Sequence, residues 1–114
     1  MIAKSRDLVQ HLMGKWKCSG YEENDKEIKD FNSFELTFKQ ATIICSPRGN
    51  KLWPAKCQYE SIGSINGGYY FREDGCFFQV KNMMENNITI ELNLRITEEG
   101  SINKYIFYLK KENN

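Results

Sequence analysis

ITIELNLRIT, residues 88–97, alternates strictly between apolar and polar side chains over its whole length. Alternation with a period of two is the pattern of a β-strand with one buried and one solvated face. Glu99-Gly100 then turns the chain into residues 102–111, and this turn would pair Leu92 with Phe107 on the apolar face. The stretch therefore predicts an antiparallel hairpin whose inner face is apolar.

The same period extends through the chain after Gly14, and no later window shows a helical stripe. The second and third predicted strands are separate if the chain turns at Lys39 and Gln40, which we prefer, although neither residue favours a tight hairpin turn. If they are one strand, the total falls from eight to seven. We expect strands over residues 15–21, 34–39, 41–45, 55–62, 69–73, 76–82, 88–97 and 102–111.

Two further turn signals lie in the middle of the chain, at Asn66-Gly67 and Asp74-Gly75. A two-residue turn at Asp74-Gly75 would put Arg72 outside, opposite Phe77. The same turn would put four large side chains inside the molecule: Tyr69, Phe71, Phe78 and Val80.

A short helix is predicted before the first strand. Ser5 is a suitable N-cap, Leu8 and Leu12 share one face, and Gly14 stands where a C-terminal glycine belongs. We therefore divide a single domain, residues 1–114, into a helix (1–13), a β-rich body (14–111) and a polar tail (112–114).

Short strands joined in succession would leave two exposed sheet edges, and pairing the last strand with the first removes them. The sequence predicts an all-β fold, an antiparallel up-and-down closed barrel of about eight strands. The short N-terminal helix would cover one mouth of this barrel.

Gly14-Lys15-Trp16, directly after the predicted helix, resembles the G-x-W signature of the lipocalins and the wider calycin group. This resemblance implies an eight-stranded barrel with Trp16 packed at its closed end and, in members that bind one, a ligand in the cup. It also implies a basic residue of the last strand over the tryptophan. Here that residue is Lys111 where the group usually has arginine, which loses planar stacking. The chain is shorter than a typical lipocalin, so the cup would be shallow.

The charge balance restricts the choice of partners. Sixteen basic and fifteen acidic residues leave a net charge of +1, with both signs interspersed, which disfavours nucleic acid. No stretch approaches the apolar length of a membrane span, and residues 1–7 lack an apolar signal region. We therefore expect a cytoplasmic protein, or an exported one if a signal segment has been removed.

All four cysteines, Cys18, Cys45, Cys57 and Cys76, fall on the predicted inner face, where reduced thiols act as small core side chains. A disulfide between Cys45 and Cys57, closing a hairpin centred on Lys51, is the alternative. No C-x-x-C pair is present, so we expect no metal, and no cofactor motif occurs. His11 is the only histidine, which disfavours histidine-dependent catalysis.

These patterns favour a non-catalytic binding protein for a small apolar or aromatic molecule, although so many bulky inward side chains could equally fill the barrel. The alternative is a packed barrel that contacts a protein partner through loops 22–32 and 47–54, which carry opposite charge. A weaker third hypothesis is a calycin-like isomerase or lyase that uses Tyr or Cys to move a proton. The residues predicted to line the ligand cavity are Trp16, Phe38, Tyr59, Tyr69, Phe71, Phe78, Leu92, Tyr105 and Phe107, with Gly14 and Lys111 as structural residues beside Trp16.

Overall fold

The computed structural model describes residues 12–61, 69–93 and 104–112. These residues form one antiparallel sheet, and it closes because the first strand pairs with the last as well as with its neighbours in sequence. The strands are β1 (Gly14–Glu23), β2 (Lys26–Ile28), β3 (Glu35–Phe38), β4 (Thr42–Ser46), β5 (Lys56–Ser61), β6 (Tyr69–Arg72), β7 (Phe77–Met83), β8 (Asn87–Asn93) and β9 (Lys104–Lys111).

The nine strands of the described ranges correspond to eight positions around the barrel. β3 pairs with the first half of β1 and β2 with the last three residues of β1, while β9 covers the other edge. β2 and β3 are therefore two pieces of one barrel strand. The predicted all-β, closed antiparallel barrel is confirmed, and the turn at Lys39 and Gln40 does separate β3 from β4.

The predicted N-terminal helix lies almost wholly outside the described residues, and the described part of the chain contains no helical element. The hairpin turns predicted at Asn66-Gly67 and Glu99-Gly100 also lie outside it. The single-domain boundaries stay a prediction.

Residues 21–32, which we expected to be a charged loop, begin with the end of β1 and contain β2. Asn24 and Asp25 make the turn between these strands with positive φ values of 49° and 71°. Asn and Asp tolerate this left-handed backbone better than other side chains do, and two such residues in succession suit the twist of a tight hairpin. The expectation was wrong because it considered only the charge of this segment and not the tendency of Asn24 and Asp25 to form a tight turn.

The predicted orientation of β6 is also wrong. Phe78 of β7 pairs with Tyr70, whereas the predicted turn paired it with Phe71, and Phe71 lies opposite Phe77. The turn has three residues, Glu73 to Gly75, because Arg72 N–H donates to the carbonyl of Cys76 (2.8 Å). Gly75, with φ of 93°, supplies the left-handed residue that a three-residue turn needs.

One extra turn residue moves every side chain of β6 to the opposite face. Tyr69 and Phe71 therefore lie outside, each 39% exposed, while Tyr70 (1%) and Arg72 (2%) are buried. Val80 on β7 is buried as predicted.

β8 and β9 show what a shift of two residues does. Leu92 pairs with Tyr105 and Ile90 with Phe107, whereas the predicted turn paired Leu92 with Phe107. Because side chains alternate with a period of two, this shift changes the partners and preserves the faces. All four side chains are buried, so the predicted inner face is confirmed.

The core fills the inside of the barrel, and its members come from the strands and from one loop. Leu52 (4% exposed) and Trp53 (1%) belong to the segment between β4 and β5, outside any strand, yet both are part of the core. The candidate site lies where this loop enters the barrel interior.

Candidate functional site

One end of the barrel is closed by Trp16, which is fully buried near the start of β1. Its indole Nε1–H donates to the carbonyl of Leu12 (2.8 Å). Lys111, its partner across β1 and β9, lies with Nζ 4.7 Å from the ring centre and donates to the carbonyl of Met13 (2.7 Å). The structure thus brings together Trp16 and the basic residue that the sequence resemblance implied.

Gly14 makes this close approach feasible. Its φ is 118°, which disfavours any side chain, and a Cβ there would lie 2.9 Å from Nζ of Lys111. The lysine therefore crosses directly over the glycine to reach Trp16.

The opposite end of the barrel, which we call the open end, is covered by residues 47–55. This segment joins β4 to β5, and we call it the Trp53 loop. The indole of Trp53 reaches into the barrel, where its ring centre lies 5.8 Å from that of Phe78 and 5.5 Å from that of Phe107. Both contacts are edge-to-face, a favourable geometry for aromatic pairs. A loop side chain thus occupies space that a ligand could otherwise take.

Asn50 organises the Trp53 loop. Its side-chain Oδ1 accepts the backbone N–H groups of Leu52 (2.9 Å) and Trp53 (2.8 Å), and its own N–H donates to the carbonyl of Trp53 (2.8 Å). Gly49 lies so close to the returning chain that a Cβ would be 2.4 Å from the nitrogen of Ala55. The loop is a compact turn that directs Leu52 and Trp53 into the interior.

Arg72 connects the barrel wall to this loop. Its Nη1 donates to the carbonyl of Leu52 (2.8 Å), and its guanidinium carbon lies 5.0 Å from the ring centre of Trp53. Its Nε donates to Oδ1 of Asp74 (3.1 Å), and its Nη2 forms an ion pair with the other carboxylate oxygen. Arg72 therefore binds the carbonyl of Leu52 and the ring of Trp53, while Asp74 balances the charge of Arg72.

Arg72 also changes the acidity of Asp74. Burial alone would raise the pKa of its carboxyl group, but the hydrogen bonds and charge of Arg72, with hydrogen bonds from Cys76, outweigh burial. The pKa of Asp74 therefore lies below its ordinary value, and the ion pair is intact at neutral pH.

The indole N–H of Trp53 has no hydrogen-bond partner within residues 12–61, 69–93 and 104–112. Among the described residues it is the only buried side-chain nitrogen or oxygen in this condition. A buried donor without an acceptor costs about 1–3 kcal/mol. The Trp53 ring therefore fills the interior but leaves one hydrogen-bond donor unsatisfied.

The rest of the interior wall is aromatic. Tyr70 stacks on Phe78 with ring centres 5.1 Å apart, and Tyr59 lies against both Phe38 and Tyr70. The hydroxyl of Tyr59 donates to the carbonyl of Lys39 (2.7 Å). Burial raises the pKa of Tyr59 and of Tyr70 to about 12, so both are neutral phenols at neutral pH.

Of the nine residues predicted to line a cavity, the structure places seven in the interior and two outside. Tyr69 and Phe71 are on the outer face because of the β6 shift, and they form no part of the site. The buried members are Trp16 at the closed end and Phe38, Tyr59, Phe78, Leu92, Tyr105 and Phe107 in the wall.

Four buried residues of the site were not predicted from the sequence: Leu52, Trp53, Tyr70 and Arg72. A tryptophan and a leucine between two prolines were a usable signal, because large apolar side chains in a basic loop are seldom left in water. For Arg72, the signal was Asp74 two residues later, at a distance that suits an ion pair across a turn.

Two surface clefts border the Trp53 loop at the open end. One, of about 410 Å³, lies between residues 32–34 and residues 47–50, and another, of about 270 Å³, lies between Tyr21, residues 30–34 and residues 50–52. The loop is thus unpacked on the side that faces residues 30–34. This also changes the surface expected for a protein partner, because Leu52 and Trp53 point into the barrel.

The four cysteines are buried and unbridged, so their predicted inward orientation is confirmed. The alternative disulfide is wrong, since Cys57 lies opposite Ile43 and not Cys45. Burial raises the pKa of Cys18 and Cys45 to about 11, which leaves both as thiols at neutral pH. The described residues contain no group of metal-ligating side chains.

Among residues 12–61, 69–93 and 104–112 we find no helix with the length and apolar character that membrane crossing requires.

A closed eight-position antiparallel barrel, with a glycine and a tryptophan at the start of its first strand and a lysine of its last strand over that tryptophan, has the lipocalin and calycin fold. Among solved structures, it is similar to bovine odorant binding protein, a lipocalin, in complex with its natural ligand. The TM-score is 0.57 at 16% sequence identity, over 91% of this chain and 73% of that chain. No protein-family model and no curated protein sequence matches the chain.

Proposed function

We propose that this protein is a non-catalytic binding protein for a small apolar or aromatic molecule, which it takes into the open end of the barrel in place of the Trp53 indole. The observation that carries this proposal is that a loop side chain, Trp53, fills part of the interior at this end beside the aromatic side chains of the wall. We call this side chain the plug. A plug on a loop can exchange with a ligand without breaking the sheet.

The surroundings of Trp53 support this exchange. Its ring contacts Phe78 and Phe107, and an aromatic ligand in the same position would make the same edge-to-face contacts. The clefts beside the loop leave room for it to move toward residues 30–34. Ligand pockets in proteins are typically apolar, with a few polar groups, as here.

The unpartnered indole N–H adds an energetic argument. Because Trp53 leaves a buried donor without an acceptor, the plugged state forgoes part of the stabilisation that packing gives. A ligand without such a donor would fill the same space without that cost.

The experiment is a fluorescence titration with N-phenyl-1-naphthylamine, an uncharged aromatic probe whose emission rises in apolar surroundings. We expect the wild-type protein to bind it and Trp53→Ala to bind it at least about tenfold more tightly. When a site is open for only a fraction of the time, its apparent affinity falls in proportion to that fraction. Trp53→Ala removes the indole that occupies the site, so the site is open more of the time and the probe binds more tightly.

The chain supplies its own control and its own second signal. Tyr69→Ala changes an exposed aromatic residue of the outer face and should leave the affinity for the probe unchanged. The chain has two tryptophans, so the emission of Trp53 can be separated from that of Trp16 by comparing the wild type with Trp53→Phe. Binding that Tyr69→Ala weakens and Trp53→Ala leaves unchanged would place the probe outside the barrel and contradict the proposal.

A further inference from the structure

We infer that the ligand class is an uncharged aromatic molecule carrying an amide-type carbonyl, of which an N-acylated indole amine is the simplest form. This inference rests on the proposed function and is drawn from what the Trp53 loop presents to the barrel.

The loop presents a recognisable chemical unit. The carbonyl of Leu52 is the acyl group on the backbone nitrogen of Trp53, so Leu52 C=O and Trp53 together are an N-acyl indolylethylamine. Arg72 contacts this unit twice, through the hydrogen bond from Nη1 to the carbonyl oxygen (2.8 Å) and through the guanidinium over the ring (5.0 Å). The barrel therefore holds a fragment of its own chain as it would hold such a molecule.

When the loop leaves, Arg72 loses both contacts. Its side chain is 2% exposed, and a buried donor that loses its acceptor is costly. A ligand with only an aromatic ring would restore the ring contact and leave Nη1 without an acceptor. A ligand with a carbonyl placed as in the loop would restore both.

The charge of the site favours a neutral ligand. Asp74, which is 35% exposed, already pairs with the buried Arg72 through two oxygens, so the pair carries no net charge. A ligand carboxylate would add an uncompensated negative charge beside Asp74, and a ligand ammonium group would face Arg72. Either ligand charge would lose its hydration without gaining an opposite charge at the site to compensate.

The ring of the unit fits the wall. Phe78 and Phe107 meet the Trp53 ring at 65° and 70°, so their edges contact a flat bicyclic system from two directions. The indole N–H has no partner in the loop, so the site does not require a donor on the ring. Specificity would lie in the carbonyl and the shape of the ring.

The test is displacement of N-phenyl-1-naphthylamine from the wild-type protein by four matched compounds. N-acetyltryptamine carries ring and carbonyl, 3-ethylindole carries the ring alone, tryptamine adds a positive charge, and N-acetyl-L-tryptophan adds a carboxylate. We expect N-acetyltryptamine to displace the probe at a concentration about tenfold lower than each of the others, the discrimination that one charge-assisted hydrogen bond gives.

Arg72→Lys identifies the group responsible. Lysine keeps the charge opposite Asp74 and lacks the planar fork that reaches a second acceptor, so the ratio between N-acetyltryptamine and 3-ethylindole should fall to within about threefold of one. Tyr69→Ala should keep the full ratio. If Arg72→Lys does not fold, the wild-type series decides alone.

The two proposals fail differently. If the probe does not bind, the proposed function is overturned and this inference falls with it. If the probe binds and 3-ethylindole competes as well as N-acetyltryptamine, the function stands and the ligand class is wrong. Tightest binding of N-acetyl-L-tryptophan or of tryptamine would overturn the requirement for a neutral ligand.

Discussion

The two ends of the barrel each bury a tryptophan beneath a cation, and they differ in what holds the indole. Trp16 belongs to a strand, and its N–H donates to a backbone carbonyl. Trp53 belongs to a loop, and its N–H has no partner in the part of the chain that the structure describes. The ring-to-cation distances are nearly equal, 4.7 Å for Lys111 and 5.0 Å for Arg72, so the cation does not distinguish the two ends.

The difference lies in how each arrangement is built into the fold. At the closed end, Lys111 is the strand partner of Trp16, and the backbone pairing of β1 with β9 holds both. At the open end, Arg72 and Trp53 meet only through side chains and the carbonyl of Leu52. Strand pairing thus holds the closed end, and under the proposed function the loop at the open end exchanges with a ligand.

The largest expected effect separates the two tryptophans. Trp16→Ala removes a fully buried ring and leaves the carbonyl of Leu12 without its donor, so we expect a loss of about 4–5 kcal/mol in the free energy of unfolding. Trp53→Ala loses no hydrogen bond from its ring, and its loop can adjust, so we expect about 3 kcal/mol or less. Urea denaturation followed by circular dichroism measures both.

An equal loss at the two positions would break the comparison between the ends. Trp16→Phe and Trp53→Phe refine it, because they keep a ring and remove the N–H. The first should cost more than the second, since only Trp16 donates a hydrogen bond.

The next effect concerns the ion pair of the open end. Asp74→Ala leaves Arg72 buried without its carboxylate. Breaking a fully buried pair costs roughly 3–5 kcal/mol, and because the side chain of Asp74 is 35% exposed, we expect about 2 kcal/mol. The control is Asp25→Asn, which removes the exposed charge that faces Lys104, keeps a side chain that tolerates the positive φ of this position, and should cost less than about 0.5 kcal/mol.

The same pair predicts a dependence on pH. The pKa of Asp74 is lower in the folded protein than its ordinary value of 3.8, so the folded state holds the ionised form more strongly than the unfolded state does. Its contribution is complete above pH values near the ordinary pKa and is lost as the pH falls through the lower folded pKa. Denaturation midpoints of wild type and Asp74→Asn should therefore converge below about pH 4. A constant difference down to pH 2 would contradict this assignment.

The fold was accessible from the sequence wherever side-chain alternation decided it. The inner faces of β8 and β9 were predicted correctly although their register differs by two residues, because a shift of two preserves every face. The predicted orientation of β6 was wrong for the complementary reason: one additional residue in the turn at Glu73 to Gly75 exchanges the inner and outer faces of this strand. Turn length thus decides what alternation alone cannot.

The closed end and most of the interior wall of the candidate site were predictable from the sequence, and the Trp53 loop and Arg72 were not. Gly14, Trp16 and Lys111 followed from a short motif and the alternation of the last strand. Trp53 lies in a segment without periodicity, and its inward direction depends on Asn50 and Gly49 shaping the loop. Arg72 is a charged residue in the core, which sequence rules place outside unless its ion pair with Asp74 is recognised.

The smallest expected effect tests whether the cation of the closed end matters at all. Lys111→Met keeps the alkyl chain over Trp16 and removes the ammonium group, whose contact with the ring is worth about 0.5–1 kcal/mol at a partly exposed position. The carbonyl of Met13, which loses its donor, can be hydrated because Lys111 is only partly buried. We therefore expect a loss below about 1 kcal/mol, with Lys110→Met, on the exposed face of the same strand, as the reference near zero. A loss as large as that of Asp74→Ala would contradict this expectation. It would mean that backbone pairing of β1 with β9 does not suffice to hold Trp16 in place, and that the closed end, like the open end, depends on the charge of its cation.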